Sequence, residues 1–438
     1  MTVALFRSLA SRYRSVVVSS AYSLALRVGG AVVTFGLGVT LARVLGPAGY
    51  GIYGLITTLV ALAVTISLVG TLQLAVRELS VRSARGDWPG VKGVIFEFNR
   101  ATALAAAAIG LVGMAIVAAM VGFGEPTTYA LQAALLTLAL AITAGIASQL
   151  RGLGALIRGQ ILDIFARPAV TFVVTLGLVL VGWRLTVAQA LWIQVGVAIA
   201  AAAISLMWIR LAIPAAQRAV PRARKIPWVG AAVPLGIVDS LRQMDGAYGV
   251  ILMGWLASAP ELGLFRVAVA CGVIINMPIT IAHVLFGPTA ARLNGTGEHR
   301  ELQRLLSSIS AALVAIILPI TAAVWFFGRD VMILVFGAPY AEAWLPLFYI
   351  SCAQLVSACF GLGPTLLAMC DSERHLMKIC ALSLAAGLVA AVPLIQLYGA
   401  AGAGIATVVS GGLIALFSQR FARRSLNLDP SLLSLGRR

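Results

Sequence analysis

The residues able to do chemistry in this chain are few, and most of them stand where charge is costly. Arg27 lies midway along the apolar run Val16 to Leu41, and a charge at mid-membrane costs roughly 2.5–3.5 kcal/mol on insertion scales. A residue kept at that cost faces a bundle interior or a wet cavity. A second group occurs in Val238-Asp239-Ser240-Leu241-Arg242-Gln243-Met244-Asp245. Asp239, Arg242 and Asp245 recur every third residue, which puts all three on one broad helical face that cannot look at lipid. Two readings of that face stay open. It is either an ion cluster neutralised by its own aspartates and fixing helix packing, or a cavity lining that meets a substrate through arginine and a proton or cation through carboxylates. Glu97 and Arg100 repeat the three-residue spacing nearer the end of their run, where snorkelling and local pairing account for them. Arg266 sits close to the opposite boundary, and His283 is a lone histidine that reads as a packing or helix-bonding residue. The candidate contacts for an anionic substrate are therefore Arg27, Arg242, Arg266 and Arg100, and those for ion coupling are Asp239, Asp245 and Glu97.

The elements that must hold these groups are membrane helices. The chain has 438 residues, of which 61% are hydrophobic and 11% charged, with a mean hydropathy of +0.99. Apolar runs of about 20 residues, each long enough to span a bilayer, fall at 16–41, 50–74, 94–122, 129–150, 166–182, 186–210, 229–256, 262–290, 304–327, 341–368, 375–397 and 400–420, which predicts about twelve transmembrane helices. The formal charge of +17 would suggest nucleic acid in a soluble protein. Here 25 of the 32 basic residues fall in segments on one side and three (Arg43, Arg184, Arg329) on the other. By the positive-inside rule both termini are cytoplasmic, and no nucleic-acid partner is implied. The first run is too long for a signal-peptide core and is expected to stay as the first span. The five cysteines have no metal-ligand spacing and read as small reduced residues. There is no phosphate loop of the Walker type, no His-Glu-x-x-His and no Cys-x-x-Cys. With short outer loops as well, the sequence offers no catalytic site, metal site or cofactor.

The two halves resemble each other. At an offset of 212 residues Gly51-Ile52-Tyr53 falls on Gly263-Leu264-Phe265, and at 213 Phe123-Gly124-Glu125-Pro126 falls on Phe336-Gly337-Ala338-Pro339. A duplicated six-helix unit is the reading, with both copies in the same orientation and a cavity between them. The expected organisation is a basic leader 1–15, an N-lobe 16–210, a cytoplasmic linker 211–228, a C-lobe 229–420 and a cytoplasmic tail 421–438. Prolines inside spans number one in the first half (Pro168) and seven in the second, so bending should concentrate in the C-lobe. Gly402-Ala403-Gly404 lacks the strand context of a dinucleotide site and reads as tight helix packing.

Four stretches carry a family likeness. Leu41-Ala42-Arg43-Val44-Leu45-Gly46-Pro47-Ala48-Gly49-Tyr50-Gly51-Ile52-Tyr53 resembles the loop after the first helix of polysaccharide-biosynthesis flippases in the multidrug/oligosaccharidyl-lipid/polysaccharide (MOP) exporter superfamily. Gly263-Leu264-Phe265-Arg266 with Pro278 and Pro288 is similar to that family's eighth helix, Phe336-Gly337-Ala338-Pro339-Tyr340 to its outer loop, and Tyr398 to Thr407 to the start of its last helix. The resemblance implies an all-α fold of two six-helix lobes in a V, like the multidrug exporters of the MATE type. It also implies transport of a polyprenyl-pyrophosphate-linked oligosaccharide, such as an O-antigen or exopolysaccharide unit, across the bacterial inner membrane. The implied partners are that lipid-linked substrate, membrane lipid, and glycan polymerase and chain-length-control proteins. The rival reading within the superfamily is a cation-coupled drug exporter, and a third is a non-transporting scaffold for glycan-synthesis enzymes.

Overall fold

The computed structural model describes residues 2–68, 70–120, 126–213, 229–370, 372–426 and 428–431. Among them the chain is helical and contains no strand. In order, the helices are α1 Thr2–Ser67, α2 Thr71–Ala84, α3 Trp88–Met120, α4 Pro126–Gly152, α5 Arg158–Leu180, α6 Val187–Ala212, α7 Val229–Leu256, α8 Ala259–Ile275, α9 Met277–Gly295, α10 His299–Phe336, α11 Trp344–Phe360, α12 Gly363–Met369 and α13 Glu373–Ser425. By length and composition eight of the described helices can cross a membrane, nine if α8 and α9 are taken as one bent span. The chain is an all-α polytopic membrane protein.

Two of these helices are divided from within. α1 breaks at Gly46 (φ 67°, ψ 176°), which is followed by Pro47. α13 breaks at Gly399 (φ 55°, ψ −129°). Such left-handed φ values cost a glycine little, and the proline beyond has no N–H with which to rejoin the preceding turn. Both breaks fall where the sequence places turns between consecutive apolar runs. α6 starts on a capping box, with Thr186 Oγ1 accepting from the Gln189 N–H at 3.3 Å and Gln189 Oε1 from the Thr186 N–H at 3.0 Å. Phe123, Gly124 and Glu125 of the repeat motif, and most of the expected linker (214–228), lie outside the described residues.

Prolines interrupt the regular helix differently in the two halves. In the second half α8 and α9 meet at 42° beside Pro278, and α11 ends at Gly361 (φ 75°) just before Pro364. Pro319, by contrast, is accommodated inside an unbroken α10. In the first half the single Pro168 follows a π-helical turn, Ile161–Ala166, within α5. Pro168 cannot donate to the Ile164 carbonyl four residues back. That freed oxygen lies against Gly30 of α1, where any side chain would collide with it. The glycine thus permits a close helix crossing in a region where packing, rather than water exclusion, holds helices together.

The chain divides into two compact units, residues 1–37 with 60–239 and residues 38–59 with 240–438. Residues 38–59, from the first half of α1 through the turn after it, group with the second half. The reason is the set of close contacts described below. The first unit has a core of Leu74, Leu79, Val91, Val94, Phe98, Ile146, Leu150 and Ile209 from α2, α3, α4 and α6. The second buries Tyr248, Met253, Phe286, Leu293 and Tyr340. Bulky apolar residues such as Val173, Leu180, Phe326 and Leu397 remain exposed, as a lipid-facing surface requires.

The expected tail is in part a structural piece of the second unit. Both ends of the Gln303 amide bond the Asp429 backbone at 2.7 Å, Nε2 donating to the carbonyl and Oε1 accepting from the N–H. Ser310 Oγ donates to the Pro430 carbonyl at 2.8 Å, and Ser431 is buried. The Asp429 carboxylate is half-buried, which works against its charge. Donors from Ser431 and Gln419, with Arg423 at 3.5 Å, outweigh that and hold its pKa below the ordinary carboxylate value. A lowered folded-state pKa contributes stability above the unfolded pKa of about 3.9 and loses it as pH falls through the folded value. Asp429→Ala is therefore expected to cost about 1–3 kcal/mol at neutral pH, read as a lower unfolding temperature in detergent. The gap between variant and wild type should narrow as the carboxylate protonates below pH ~4.

Candidate functional site

α7, α9, α12 and both halves of α13 line a cavity of about 460 Å³ in the second unit. Its wall carries Arg242 and Asp245 from α7, Asn276 at the α8–α9 bend, Thr280 and His283 from α9, Thr365 from α12 and Cys380 from α13. A smaller space of about 220 Å³ shares Asp245, Asn276 and His283 and adds Gln354, Ser357, Thr407 and Ser410. The bend at Pro278 and the break before Pro364 open this space, since both lie on its border. His283 Nδ1 is paired with Thr365 Oγ1. Tyr248 donates to Ser410 Oγ at 3.2 Å. Asp245 Oδ1 is buried with no hydrogen-bond partner among the described residues. A buried carboxylate oxygen in that condition costs more than a satisfied one and is ready to accept a proton or ligate a cation.

The Asp239-Arg242-Asp245 face is not a self-neutralised cluster. No ion pair joins its members among the described residues. Asp239 instead accepts from Gln73 Nε2 of α2 at 2.9 Å, within the first unit. Arg242 is exposed on the cavity wall, and Asp245 faces the same space one turn further along.

Arg27 is in the first unit, 19 residues before the Gly46 break. One turn earlier, Ser23 Oγ donates to Gln160 Oε1 at 2.8 Å. Arg151 of α4 lays its side chain against Gly159, the residue before Gln160. Arg167 is 4.0 Å from Asp163. Arg151 Nε and Arg167 Nε are both buried without partners among the described residues. Three arginines and one aspartate thus collect where α1, α4 and α5 meet. Sequence reasoning assigned Arg151 and Arg167 to topology alone. The Asp163/Arg167 spacing of four and the intraspan Pro168 were the signals that they belong to a built group.

The remaining candidates lie elsewhere. Arg266 lays its side chain into the space left by Gly54, near Tyr50, in the second unit. Arg100 is exposed on α3 and forms no ion pair with Glu97. Neither Arg100 nor Glu97 joins a cavity described here. Among the described residues no cluster of His, Cys, Asp and Glu could hold a metal ion.

The four stretches with family likeness converge around the turn after Gly46. Arg43 Nε and Nη2 donate to the carbonyls of Val335 (2.8 Å) and Leu334 (2.6 Å), so a cation covers the C-terminus of α10. Tyr340 donates to the Ala42 carbonyl at 2.8 Å. Gly51 faces the Ala259 carbonyl and Gly263, Gly263 faces Pro47, and Gly399 faces Glu261. Tyr50 is buried and stacks on Tyr53, their centroids 6.2 Å apart. The motifs are parts of one packed joint rather than a ligand site.

This all-α membrane architecture is similar to that of several solved structures. A multidrug resistance MATE family transporter of the MOP superfamily in its inward-facing conformation aligns with a TM-score of 0.71 at 14% identity, covering 91% of this chain and 94% of its own. The lipid II flippase MurJ aligns at 0.69 and 10% identity, with 93% and 87% covered, and a Pyrococcus furiosus MOP superfamily transporter at 0.60 and 12%, with 93% and 94% covered. These likenesses establish the fold. The search of curated proteins gave no match. The sequence model of the polysaccharide biosynthesis protein family matches residues 16–293, more than half of the chain, and the chain belongs to that family.

Proposed function

We propose that this protein is a flippase that moves a polyprenyl-pyrophosphate-linked oligosaccharide from the inner to the outer leaflet of a bacterial inner membrane by alternating access, with both termini cytoplasmic. The observation that supports the reading is the meeting of α1, α4 and α5, where Arg151 Nε and Arg167 Nε are buried without partners among the described residues, Arg167 is paired with Asp163, and Arg27 stands one turn from the Ser23–Gln160 bond. A saccharide on a diphosphate loses water without replacement in hydrocarbon. Arginine replaces it best, because its planar fork binds phosphate oxygens bidentately and stays charged. In this reading the cluster receives the pyrophosphate from the inner leaflet, Arg242 takes part further along the path, and the lipid tail stays in the bilayer. An inside-negative potential favours outward movement of an anion by about 2.3 kcal/mol per charge per 100 mV, and Asp245 adds proton or cation coupling. The protein acts as a carrier and not as an enzyme, working beside glycan polymerase and chain-length-control proteins.

The partnerless Asp245 oxygen favours a second reading, a cation-coupled exporter of cationic drugs. A deletion strain distinguishes the two. The flippase reading expects loss of surface polysaccharide, accumulation of its lipid-linked precursor and an unchanged drug-susceptibility panel. Normal polysaccharide with heightened drug sensitivity would replace it by the second reading.

A further inference from the structure

A separate pocket of about 380 Å³ lies where the two ends of α13 come together, and shares no lining residue with the cavities above. Its rim is formed by Lys378 near the start of the helix and by Arg420 and Arg424, four residues apart and so on one face near its end. Its walls are Ile379, Leu382, Phe417 and Phe421. No carboxylate lines it. None of the three cations forms an ion pair among the described residues, whereas the adjacent Arg423 is held by Asp429 at 3.5 Å. His375 stacks on Phe421, centroids 4.5 Å apart, which fixes that ring as one wall. Polarity is graded along the pocket. Leu382 lies one turn from Lys378 and Phe417 one turn from Phe421, both towards the middle of the hairpin, and Leu382 is 59% exposed.

Cations at the helix ends above an exposed apolar wall match one kind of molecule, a phospholipid whose anionic phosphate stands at the membrane surface while its acyl chains run inward. Cations that merely mark topology need no common pocket; these three converge on one from two helix segments. We infer that this pocket binds an anionic membrane phospholipid, with a diphosphatidyl headgroup matching three cations better than a single phosphate. The site holds a resident lipid against the α13 hairpin and is separate from the substrate path.

The test uses the purified full-length protein in neutral phosphatidylcholine nanodiscs, with binding of added cardiolipin read by native mass spectrometry and by the shift in unfolding temperature. Wild type is expected to bind cardiolipin over phosphatidylcholine. Each of Lys378→Gln, Arg420→Gln and Arg424→Gln should weaken it about fivefold, and the triple variant on the order of a hundredfold. Arg420→Lys with Arg424→Lys, which keeps the charge, should retain most of the binding and controls for folding. Inorganic pyrophosphate should not displace the lipid, because it lacks the chains that use the apolar wall. Equal binding by wild type and triple variant overturns the site. Displacement by pyrophosphate alone, or preference for a polyprenyl diphosphate over cardiolipin, overturns the phospholipid as its occupant. Because the readout is lipid binding, it stands whether or not the flippase reading does.

Discussion

Gly263→Ala is expected to abolish polysaccharide export and to lower stability by about 3–5 kcal/mol. A Cβ at Gly263 would land on the Pro47 carbonyl oxygen, with the carbonyl carbon at 2.6 Å and the Cα at 2.9 Å. All three are backbone atoms and have no rotamer by which to withdraw. The approach is mutual, since a Cβ at Gly51 would meet the Ala259 carbonyl at 2.5 Å and the Gly263 nitrogen at 2.8 Å. To admit one methyl the turn after Gly46 must lift, which strains the two Arg43 bonds and the Tyr340 bond and loosens the buried Tyr50. Overpacking of this kind costs about 1–3 kcal/mol by itself, and each hydrogen bond lost adds about 0.5–1.5 kcal/mol. Gly46→Ala is the control. Its Cβ meets nothing within 4 Å, so only the strain at φ 67° is felt, about 1–2 kcal/mol. Unfolding temperatures of the two variants in detergent decide the matter, and equal values would remove the close-packed joint from the account.

The second large effect is expected at Asp245. Asp245→Asn should reduce export about a hundredfold while leaving the unfolding temperature unchanged or slightly raised. A group whose task is structural loses stability when its charge is removed. Asp245 has no ion pair to lose, and its Oδ1 is already unsatisfied in a buried position. Neutralising it relieves a desolvation cost, and the loss of activity is the corresponding functional price. Arg242→Ala should reduce export in the same way, because Arg242 opens onto the same cavity without a carboxylate partner. Export at the wild-type level in both variants would leave the second-unit cavity without a role.

Much of this was legible in the residues. Continuous apolar runs specify helices wherever backbone groups must be satisfied internally, and Gly46-Pro47 and Gly399 mark their breaks because few other residues tolerate those φ values. Arg242, Asp245 and His283 were also identifiable, but not their shared cavity, which depends on bends beside Pro278 and Pro364 that bring α9 and α12 to α7. The neighbours of Arg27 were not legible, since an apolar run gives the stretch able to sit in lipid and not which residues of other helices pack beside it. Arg151 and Arg167 were hidden for a related reason. A basic residue at the cytoplasmic end of a span obeys the positive-inside rule whether or not it also closes on a neighbour. The membership of residues 38–59 in the second unit rests on contacts almost 300 positions apart, Arg43 with Val335 and Tyr340 with Ala42, for which no local pattern exists.

The most direct measurement is translocation by the purified protein in liposomes. A polyprenyl-pyrophosphate-linked oligosaccharide is placed in both leaflets, and the fraction open to an added impermeant glycosidase is followed with time under an imposed potential. Wild type is predicted to carry the protected half to the outer face, faster when that face is positive. Arg27→Ala with Arg151→Ala and Arg167→Ala is predicted to leave it protected, as in liposomes without protein. No translocation by folded wild-type protein, or undiminished translocation by the three-arginine variant, would contradict the account.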